Sequence, residues 1–386
     1  LPSMFPNELS MTMLDFPAMV QSTSVFGPGA LCLLLVSANA ALWECLRRPG
    51  RRAYALAAAV AALGAANAAG GVFEAARWDA SAGARRLAAG VVQGGVEPES
   101  AGHMDHVTVD MEAYVRLTSS AAASGAQDLV VWPESSFPDR LDYDRRDPAA
   151  ATAIGLPLTA LFARVKTPGV FLANGVGRAQ DRRLRSLSLL VGSDKRPLAF
   201  VEKTVLTPFG EYMPLGRQFP FLYRISPRTG HRVRGRATAP LKLPGGGTLG
   251  VMICYEDFYP DVALRLARQG ADVLSTQSND SWVDGSSGPE MHMTLSRLRA
   301  VQTRRAVLHA AKTGVSAIIS PSGRVLARVE NGVEGFATAS VPLAEGLPPA
   351  AWLHPWPFRA CLVLLAILIG LGVMPAVPKG RFMGEA

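Results

Sequence analysis

Residues 247–272 read GTLGVMICYEDFYPDVALRLARQGAD, and this stretch holds the pattern that decides the fold. An apolar, uncharged run up to Cys254 predicts a buried strand, and the segment after it predicts a helix with Asp261 in its first turn. A strand that leads directly into a helix is the repeating unit of an α/β sheet. Cys254 stands where the predicted strand ends, and it is the only cysteine between residues 46 and 360.

The same alternation continues on both sides of this stretch. Short apolar runs that stop at glycine, proline or a charged residue predict strands, and longer segments with helical periodicity predict helices. Predicted strands cover 86–95, 128–134, 169–178, 185–192 and the segment from 198, predicted helices cover 105–124, 150–166 and 288–306, and a hairpin covers 314–329. The sequence therefore predicts an α/β body with a mixed sheet over residues 80–350.

Charged residues are sparse at the two ends of the chain. Hydrophobic residues make up 49% and charged residues only 18%, below the ~25% of an average soluble domain. The deficit is concentrated in three segments, which are long enough for helices that cross a ~30 Å hydrocarbon core. These predicted spans are 26–46, 53–73 and 358–377, and a juxtamembrane segment covers 1–25.

The loop RRPGRR, residues 47–52, gives the predicted orientation of the spans. Arginines in a short loop favour the cytoplasmic side, so the body faces outward and the basic tail returns inside. A signal peptide over 26–46 is the alternative, but no small-residue cleavage site followed by soluble sequence supports it. The net charge is +8, with arginines that are scattered or flank the spans, so we expect attraction to anionic lipid headgroups and no nucleic-acid binding.

Three predicted strand ends carry groups with complementary chemistry: Glu134, Lys203 and Cys254. Functional side chains in α/β sheets gather at the carboxyl ends of strands. Together, a carboxylate accepts a thiol proton, while an ammonium stabilises the thiolate and a developing oxyanion. Taken singly, each residue has an ordinary alternative, namely a solvated loop residue for the two charged side chains and a small buried hydrophobe for the thiol.

The stretches VVWPESSFP, VEKTVLTPFGEYMPL and GVMICYEDFYPD, in this order, resemble the nitrilase superfamily of carbon–nitrogen hydrolases. Together with NDSWVDGSSGPEMH and the flanking apolar segments, they look like the apolipoprotein N-acyltransferase family. The resemblance implies a four-layer α-β-β-α sandwich flanked by transmembrane helices. It also implies that Cys254 is the nucleophile, Glu134 the general base and Lys203 the cation that stabilises the oxyanion.

Three further residues match motif positions of that family. The resemblance implies that Glu211 orients the lysine or tunes its charge, and that Tyr255 and Glu256 support the site as part of the CYE element. For Glu256 two interpretations stay open, a salt bridge that holds the strand end and a direct chemical role.

The implied reaction is an acyl transfer in two halves. A fatty acyl chain moves from a phospholipid donor to Cys254 as a thioester, and then to the N-terminal amine of a diacylglyceryl-cysteine lipoprotein. The implied location is the bacterial inner (cytoplasmic) membrane, with the catalytic domain toward the periplasm, and no cofactor is implied. The family has about eight membrane helices against the three predicted here, so missing upstream sequence, a partner protein and a shortened paralogue remain open explanations.

Asn279 and Trp282 are candidate substrate-binding residues, because they lie in a polar Gly/Ser loop after a predicted strand. Ordinary turn capping and a surface anchor are the alternatives. His292 and His309 are interpreted as packed helix residues, and no metal site is predicted, because the two do not share ligand spacing on one helix face.

Two other functions use the same sequence features. A membrane-tethered amidase or nitrilase-type hydrolase would employ the same three catalytic residues with water as the acceptor. A catalytically silent protein that binds lipoproteins is the third hypothesis, against which the intact Glu134, Lys203 and Cys254 argue.

Overall fold

The structure is a computed structural model that describes residues 9–79, 85–94, 103–137, 141–153, 156–227, 229–236 and 239–354, with residues 356, 359, 360 and 363. The predicted third span, 358–377, lies almost wholly outside the described residues.

Helices are described where the sequence predicts them at 105–124 and 288–306, after Cys254 and over the first two spans, and further single-turn helices lie where none was predicted. The described helices are α1 Pro17–Val20, α2 Thr23–Phe26, α3 Pro28–Arg47, α4 Arg51–Asp79, α5 His103–Ala123, α6 Leu158–Leu161, α7 Leu222–Ile225, α8 Pro260–Arg268, α9 Gly288–Thr303 and α10 Ala350–Leu353. The helix predicted over 150–166 is wrong: this segment holds two short strands and the single turn α6. Pro157 explains part of the difference, since a proline stops a helix that would run through it.

Fifteen strands are described. They are β1 Arg86–Gln93, β2 Leu129–Val131, β3 Leu141–Asp142, β4 Thr152–Ala153, β5 Leu156–Pro157, β6 Val170–Arg178, β7 Leu184–Val191, β8 Pro197–Glu202, β9 Leu241–Lys242, β10 Thr248–Ile253, β11 Val273–Ser278, β12 Val307–Ala311, β13 Ser316–Ile319, β14 Val325–Val329 and β15 Gly335–Pro342. The predicted hairpin over 314–329 is confirmed by the antiparallel pair β13 and β14.

The strands form two mixed sheets. One has the order β15-β1-β2-β6-β3-β4-β5, and β6 also pairs with β7, which pairs with β8. The other has the order β14-β13-β12-β11-β10-β9. At the centre of each sheet the strands run parallel, β1 with β2 and β6 in the first and β10 with β11 and β12 in the second. The carboxyl ends of these central strands therefore open at one edge of each sheet.

Strand β10 shows how the layers arise from the sequence. Its alternate residues Leu249, Val251 and Ile253 pack in the core between the two sheets, whereas Met252 faces the helices α8 and α9. On the other sheet, Leu129 and Val131 of β2 enter the same central core, and the residue between them packs against α5. Because side chains alternate along a strand, each sheet buries both of its faces. The result is the four-layer α-β-β-α sandwich that the resemblance implied.

Helices α3 and α4 cover the predicted spans 26–46 and 53–73 for most of their length. Both are long and apolar enough to cross a membrane, and only 11% and 6% of their most apolar windows are buried inside the protein. A core helix of a soluble protein would be buried, so these exposed apolar surfaces indicate a membrane protein.

Arg304 joins the N-terminal segment to the sandwich. It ends α9 in a left-handed conformation, with a φ of 55°, and its buried guanidinium donates hydrogen bonds to the side chain of Gln21 and to Ser24. The same guanidinium lies 3.7 Å from Glu74 and 5.4 Å from the ring centre of Trp78 near the end of α4. We call this contact the Arg304 clasp; it fixes α4 against the sandwich.

Candidate active site

Cys254 lies on a sharp turn between β10 and the 3-10 helix Cys254–Phe258. Its φ is 50°, a conformation that costs a non-glycine residue about 1–3 kcal/mol and that persists only where the surroundings enforce it. The turn ends the strand abruptly, so that the thiol lies at the carboxyl edge of the sheet, among the lining residues of a cavity.

Glu256 enforces this turn. One carboxylate oxygen accepts the backbone N–H of Ile253 at 2.9 Å, and the other accepts the backbone N–H and hydroxyl of Thr204 at 2.7 and 2.6 Å. A buried carboxylate with several donors is held firmly in place. Of the two interpretations left open by the sequence, the geometry favours a role in holding the strand end, through N–H and hydroxyl donors rather than a salt bridge. It also ties the turn at Cys254 to the segment that follows Lys203.

Lys203 lies directly after β8 and is almost completely buried. Its Nζ is 3.3 Å from Oε1 of Glu134 and 3.0 Å from Oε2 of Glu211. Burial alone would lower the pKa of Lys203, but the charges of Glu134, Cys254 and Glu211 outweigh it and raise the pKa above its usual value. Lys203 therefore remains an ammonium ion at neutral pH.

The two carboxylates beside Lys203 are not equivalent. Glu211 also binds Arg232 at 2.7 Å, and it accepts hydrogen bonds from the hydroxyl of Ser186 and the N–H of Thr207. Burial alone would raise its pKa, but the charges of Lys203 and Arg232 lower the pKa of Glu211 to about 2. So weak a base is poorly suited to accept a proton at neutral pH. Glu134 is the better candidate for the proton acceptor, because within the described residues Lys203 is the partner of its carboxylate.

The pKa of the Cys254 thiol is raised well above its usual value. Burial is the main cause, and the carboxylate of Glu134 adds to it, whereas the Lys203 ammonium acts in the opposite direction. The resting thiol is therefore protonated, and its activation requires a proton acceptor close by.

A cavity of about 450 Å³ connects these groups with the surface. Its lining includes all three predicted catalytic residues and both candidate substrate-binding residues; the full set is Glu134, Ser135, Lys203, Thr207, Pro208, Phe209, Gly210, Glu211, Arg232, Cys254, Asn279 and Trp282. The aromatic side chains of Trp282 and Phe209 are 59% and 49% exposed, so the mouth is apolar while the floor is charged. Tyr255 does not belong to this lining, and its hydroxyl contacts that of Tyr259 at 3.1 Å.

A buried polar network lies behind the cavity wall. His292 contacts Oδ1 of Asp280 at 2.7 Å through Nδ1, and Oδ1 of Asp257 at 3.0 Å through Nε2. Ser296 joins Asp257 to Nδ1 of His309. His309 lies on β12 and not on a helix, so the interpretation of both histidines as helix residues is wrong for His309.

The spacing of His292 and His309 along the chain does not keep them apart, because a helix and a strand bring the two side chains together. Ligand atoms of Asp280, His292 and His309 lie within 4.8 Å of one another. Both nitrogens of His292, however, already face carboxylates, which fits an imidazolium ion better than a metal ligand. Asp257 and Asp280 were not predicted as site residues. The available indication was that Asp280 directly follows the candidate residue Asn279.

The chain is similar to known proteins in sequence and in fold. The family model "Carbon-nitrogen hydrolase" matches residues 59–346. Apolipoprotein N-acyltransferase from Bdellovibrio bacteriovorus is 31% identical over 64% of this chain and 47% of its own length. The enzyme of that name from Azotobacter vinelandii is 32% identical over 85% of this chain and 61% of its own length.

The chain thus spans about half the length of the curated relatives it matches. Among solved structures, an amidase of the nitrilase superfamily from Nesterenkonia matches with a TM-score of 0.50 and 17% identity, over 72% of this chain and 97% of that one. This structural match concerns the fold alone. The family model covers three quarters of the sequence and includes every strand of both sheets. The chain belongs to the carbon-nitrogen hydrolase family.

Proposed function

We propose that this chain carries the catalytic part of an apolipoprotein N-acyltransferase. In this proposal it moves a fatty acyl chain from a phospholipid to the N-terminal amine of a diacylglyceryl-cysteine lipoprotein. The observation that carries the proposal is the meeting of Cys254, Glu134 and Lys203 in one cavity with an apolar mouth, on a chain with two exposed apolar helices. The curated relatives that bear the enzyme's name support it.

The first half-reaction forms a thioester. Glu134 takes the proton from Cys254, and the thiolate attacks the ester carbonyl carbon of the phospholipid. The Lys203 ammonium stabilises the oxyanion, which collapses as the bond to the glycerol oxygen breaks. The leaving oxygen takes the proton from Glu134, and a lysophospholipid departs.

The second half-reaction uses the same groups in reverse. The neutral N-terminal amine of the lipoprotein attacks the thioester carbon, and Glu134 takes a proton from the amine as the new C–N bond forms. Collapse of the oxyanion breaks the C–S bond, and the proton held by Glu134 returns to the sulfur. An amide and the free thiol are the products.

The segment after Glu211 fits a lipid partner. Residues 212–236 contain six arginines and no acidic residue. The expectation that the arginines are scattered or flank the spans therefore does not hold for this segment. The same segment exposes large apolar side chains, which are Leu215, Phe219, Phe221 and Ile225. Exposed apolar and cationic side chains beside a cavity suit an anionic phospholipid surface. With the RRPGRR loop inside, the cavity would face the periplasmic leaflet of the inner membrane.

A hydrolase that uses water as the acceptor is the second candidate, because it needs the same three residues. The apolar cavity mouth favours acyl transfer between lipids over hydrolysis of a small soluble amide. An assay of lysophospholipid release with and without a diacylated lipopeptide separates the two. For the transferase, release beyond one equivalent per chain is expected to depend on the lipopeptide, with the acyl chain recovered on its amine.

Mass spectrometry of the purified chain after exposure to phospholipid tests the first half-reaction. We expect one fatty-acyl mass on the peptide that contains Cys254, released by hydroxylamine as thioesters are. Cys45→Ser is the matched control and should retain the modification, whereas Cys254→Ala should lose it. An unmodified Cys254 peptide under conditions that produce lysophospholipid would contradict the proposal and favour another nucleophile. Neither modification nor lysophospholipid would favour the catalytically silent protein.

A further inference from the structure

Three buried residues behind the cavity form one connected unit, which we call the histidine clamp: Asp257, His292 and Asp280. Asp257 belongs to the 3-10 helix that begins at Cys254, and Asp280 follows Asn279 of the cavity lining. His292, on α9, lies between the two carboxylates at 3.0 and 2.7 Å. The clamp therefore joins the turn that carries the thiol to the loop that carries Asn279.

The hydrogen-bond pattern assigns the protons. Each nitrogen of His292 faces a carboxylate oxygen, so both nitrogens act as donors and the ring is an imidazolium. Ser296 has one hydroxyl proton, which goes to Asp257, so Nδ1 of His309 must be the donor to the serine oxygen. Nε2 of His309 then carries a lone pair, which agrees with its lack of a described hydrogen-bond partner. His292 is thus the charged histidine and His309 the neutral one.

Electrostatics favour the same assignment. Burial alone would lower the pKa of His292, but Asp257 and Asp280 raise it well above its usual value. Burial alone would raise the pKa of Asp280, but the charge and hydrogen bond of His292 lower it. Burial and the charge of His292 lower the pKa of His309 to about 4.

Asp280 is held in a fixed position. A Cβ atom at Gly314 would lie 2.3 Å from Oδ2 of Asp280, so the absence of a side chain there leaves room for the carboxylate. The hydroxyl of Ser278 donates to the same oxygen at 3.3 Å. A carboxylate held this closely keeps its charge at a constant distance from the thiol of Cys254.

We propose that His292 is a positioning residue whose positive charge offsets Asp280 behind Cys254 and so sets the pH at which the thiolate forms. This role rests on the proposed function only in taking Cys254 as the nucleophile. The charged groups that act on Cys254 are Glu134, Glu211 and Asp280, which disfavour the thiolate, and Lys203, which favours it. With His292 charged, the net charge of the clamp is −1. When the charge of His292 is removed, the net charge is −2.

The pH dependence of Cys254 alkylation by iodoacetamide tests this directly. The full chain is used in detergent, and the rate is followed by mass spectrometry of the Cys254 peptide, so no acyl-transfer activity is required. We expect His292→Gln to move the inflection up by about half a pH unit or more, about threefold in thiolate fraction. Asp280→Asn should move it down by a similar amount, and the double variant should return it close to wild type.

Opposite shifts are the decisive readout, because loss of a merely structural hydrogen bond would affect both single variants in the same direction. Unchanged inflections, shifts of one sign, or a double variant more perturbed than either single variant would overturn the proposal. His354→Gln is the matched control, since it removes a histidine–carboxylate pair with Asp261 that lies outside the cavity lining.

Two additional measurements keep the test decisive. If His292→Gln does not fold, the near-isosteric Asp280→Asn decides alone: a downward shift supports the proposal and an unchanged inflection contradicts it. Elemental analysis of the wild-type chain covers the competing arrangement. A stoichiometric transition metal that is lost both in His309→Ala and in His292→Gln would show that His292 is a ligand and not a counter-ion, and would overturn the proposal.

Discussion

Glu202 and Lys203 are neighbours in sequence, and each is the centre of a different buried charge cluster. The Glu202 carboxylate accepts hydrogen bonds from the hydroxyl of Tyr143 and Nε of Arg145, both at 2.6 Å, and from the backbone N–H of Arg236 at 2.9 Å. The Lys203 ammonium lies between two carboxylates and lines a cavity with a thiol. Glu202 and Lys203 are both buried, but only Lys203 lines the cavity that contains Cys254.

The difference shows that burial of charge is not by itself a mark of catalysis. Burial alone would raise the pKa of Glu202, but hydrogen bonds from Arg145 and Tyr143 lower it. Both oxygens of this carboxylate accept hydrogen bonds from donors in fixed positions. Around Lys203, by contrast, Glu134 and Cys254 line a cavity that has room for a ligand. We therefore expect variants of the Glu202 cluster to change stability and variants of the Lys203 cluster to change rate.

The largest effect is expected for Cys254→Ala. Without the sulfur no thioester forms, so acyl transfer should fall by roughly 10³-fold or more. The midpoint of thermal unfolding should change little, because a small buried side chain is replaced by a smaller one. Acyl transfer by Cys254→Ala close to the wild-type rate would show that Cys254 is not the nucleophile.

Glu134→Gln should rank next. Loss of the proton acceptor is expected to lower the rate by about 10²–10⁴-fold, the usual contribution of a general base. Glu211→Gln is the informative partner: if Glu211 is committed to Lys203 and Arg232, its replacement should act through Lys203 and cost less. A greater loss for Glu211→Gln than for Glu134→Gln would reverse the assignment of the base.

Glu202→Gln should show the opposite behaviour. Removal of the charge leaves Arg145 without its buried carboxylate partner and weakens the 3.7 Å contact of Arg185, so the free energy of unfolding should fall by about 2 kcal/mol or more. The rate of the folded fraction should stay within about tenfold of wild type, since Glu202 does not line the cavity. Rate loss equal to that of Glu134→Gln would erase the distinction between the clusters.

Acid should affect stability through Glu211. Its pKa is about 2 in the folded state against a usual value of 4.5, so its contribution is complete above 4.5 and is lost as the pH falls toward 2. Unfolding midpoints measured between pH 5 and pH 2 should fall less steeply for Glu211→Gln than for wild type. Parallel curves for the two proteins would show that Glu211 is not held as an anion by Lys203 and Arg232.

The smallest expected effect is that of Tyr143→Phe. The substitution removes one hydrogen bond to Glu202 and leaves the Arg145 pair, so the cost is about 1 kcal/mol in the free energy of unfolding. Activity at saturating substrate should be unchanged. A change in rate without a change in stability would mean that the Glu202 cluster communicates with the cavity through Lys203.

The sequence predicted the proposed catalytic residues better than the buried residues that hold them in place. Glu134, Lys203 and Cys254 each follow a recognisable apolar strand, and the rule that functional groups gather at carboxyl strand ends brings them together. The partners of Glu202 and His292 lie far away along the chain, and neither a local pattern nor a spacing rule connects Arg145 to Glu202 or Asp257 to His292. His309 was placed on the wrong kind of element because short apolar runs do not distinguish a strand from a helix.

The sheet arrangement was predictable only in part. Alternation along 247–272 indicates a strand followed by a helix, but it does not reveal that two separate sheets share one core. That part came from the resemblance, because the choice of strand neighbours depends on contacts between distant segments. At Leu158–Leu161 the local pattern was misleading in the other direction. It predicted a long helix, but the short strands around it leave a single helical turn.

The Arg304 clasp has a mechanical consequence. Since one guanidinium contacts Gln21, Ser24 and the end of α4, the sandwich and that helix share a fixed point of contact. Under the proposed function, this contact would couple the depth of α4 in the bilayer to the height of the cavity above it. Bilayer thickness would then be a variable that changes the rate of acyl transfer.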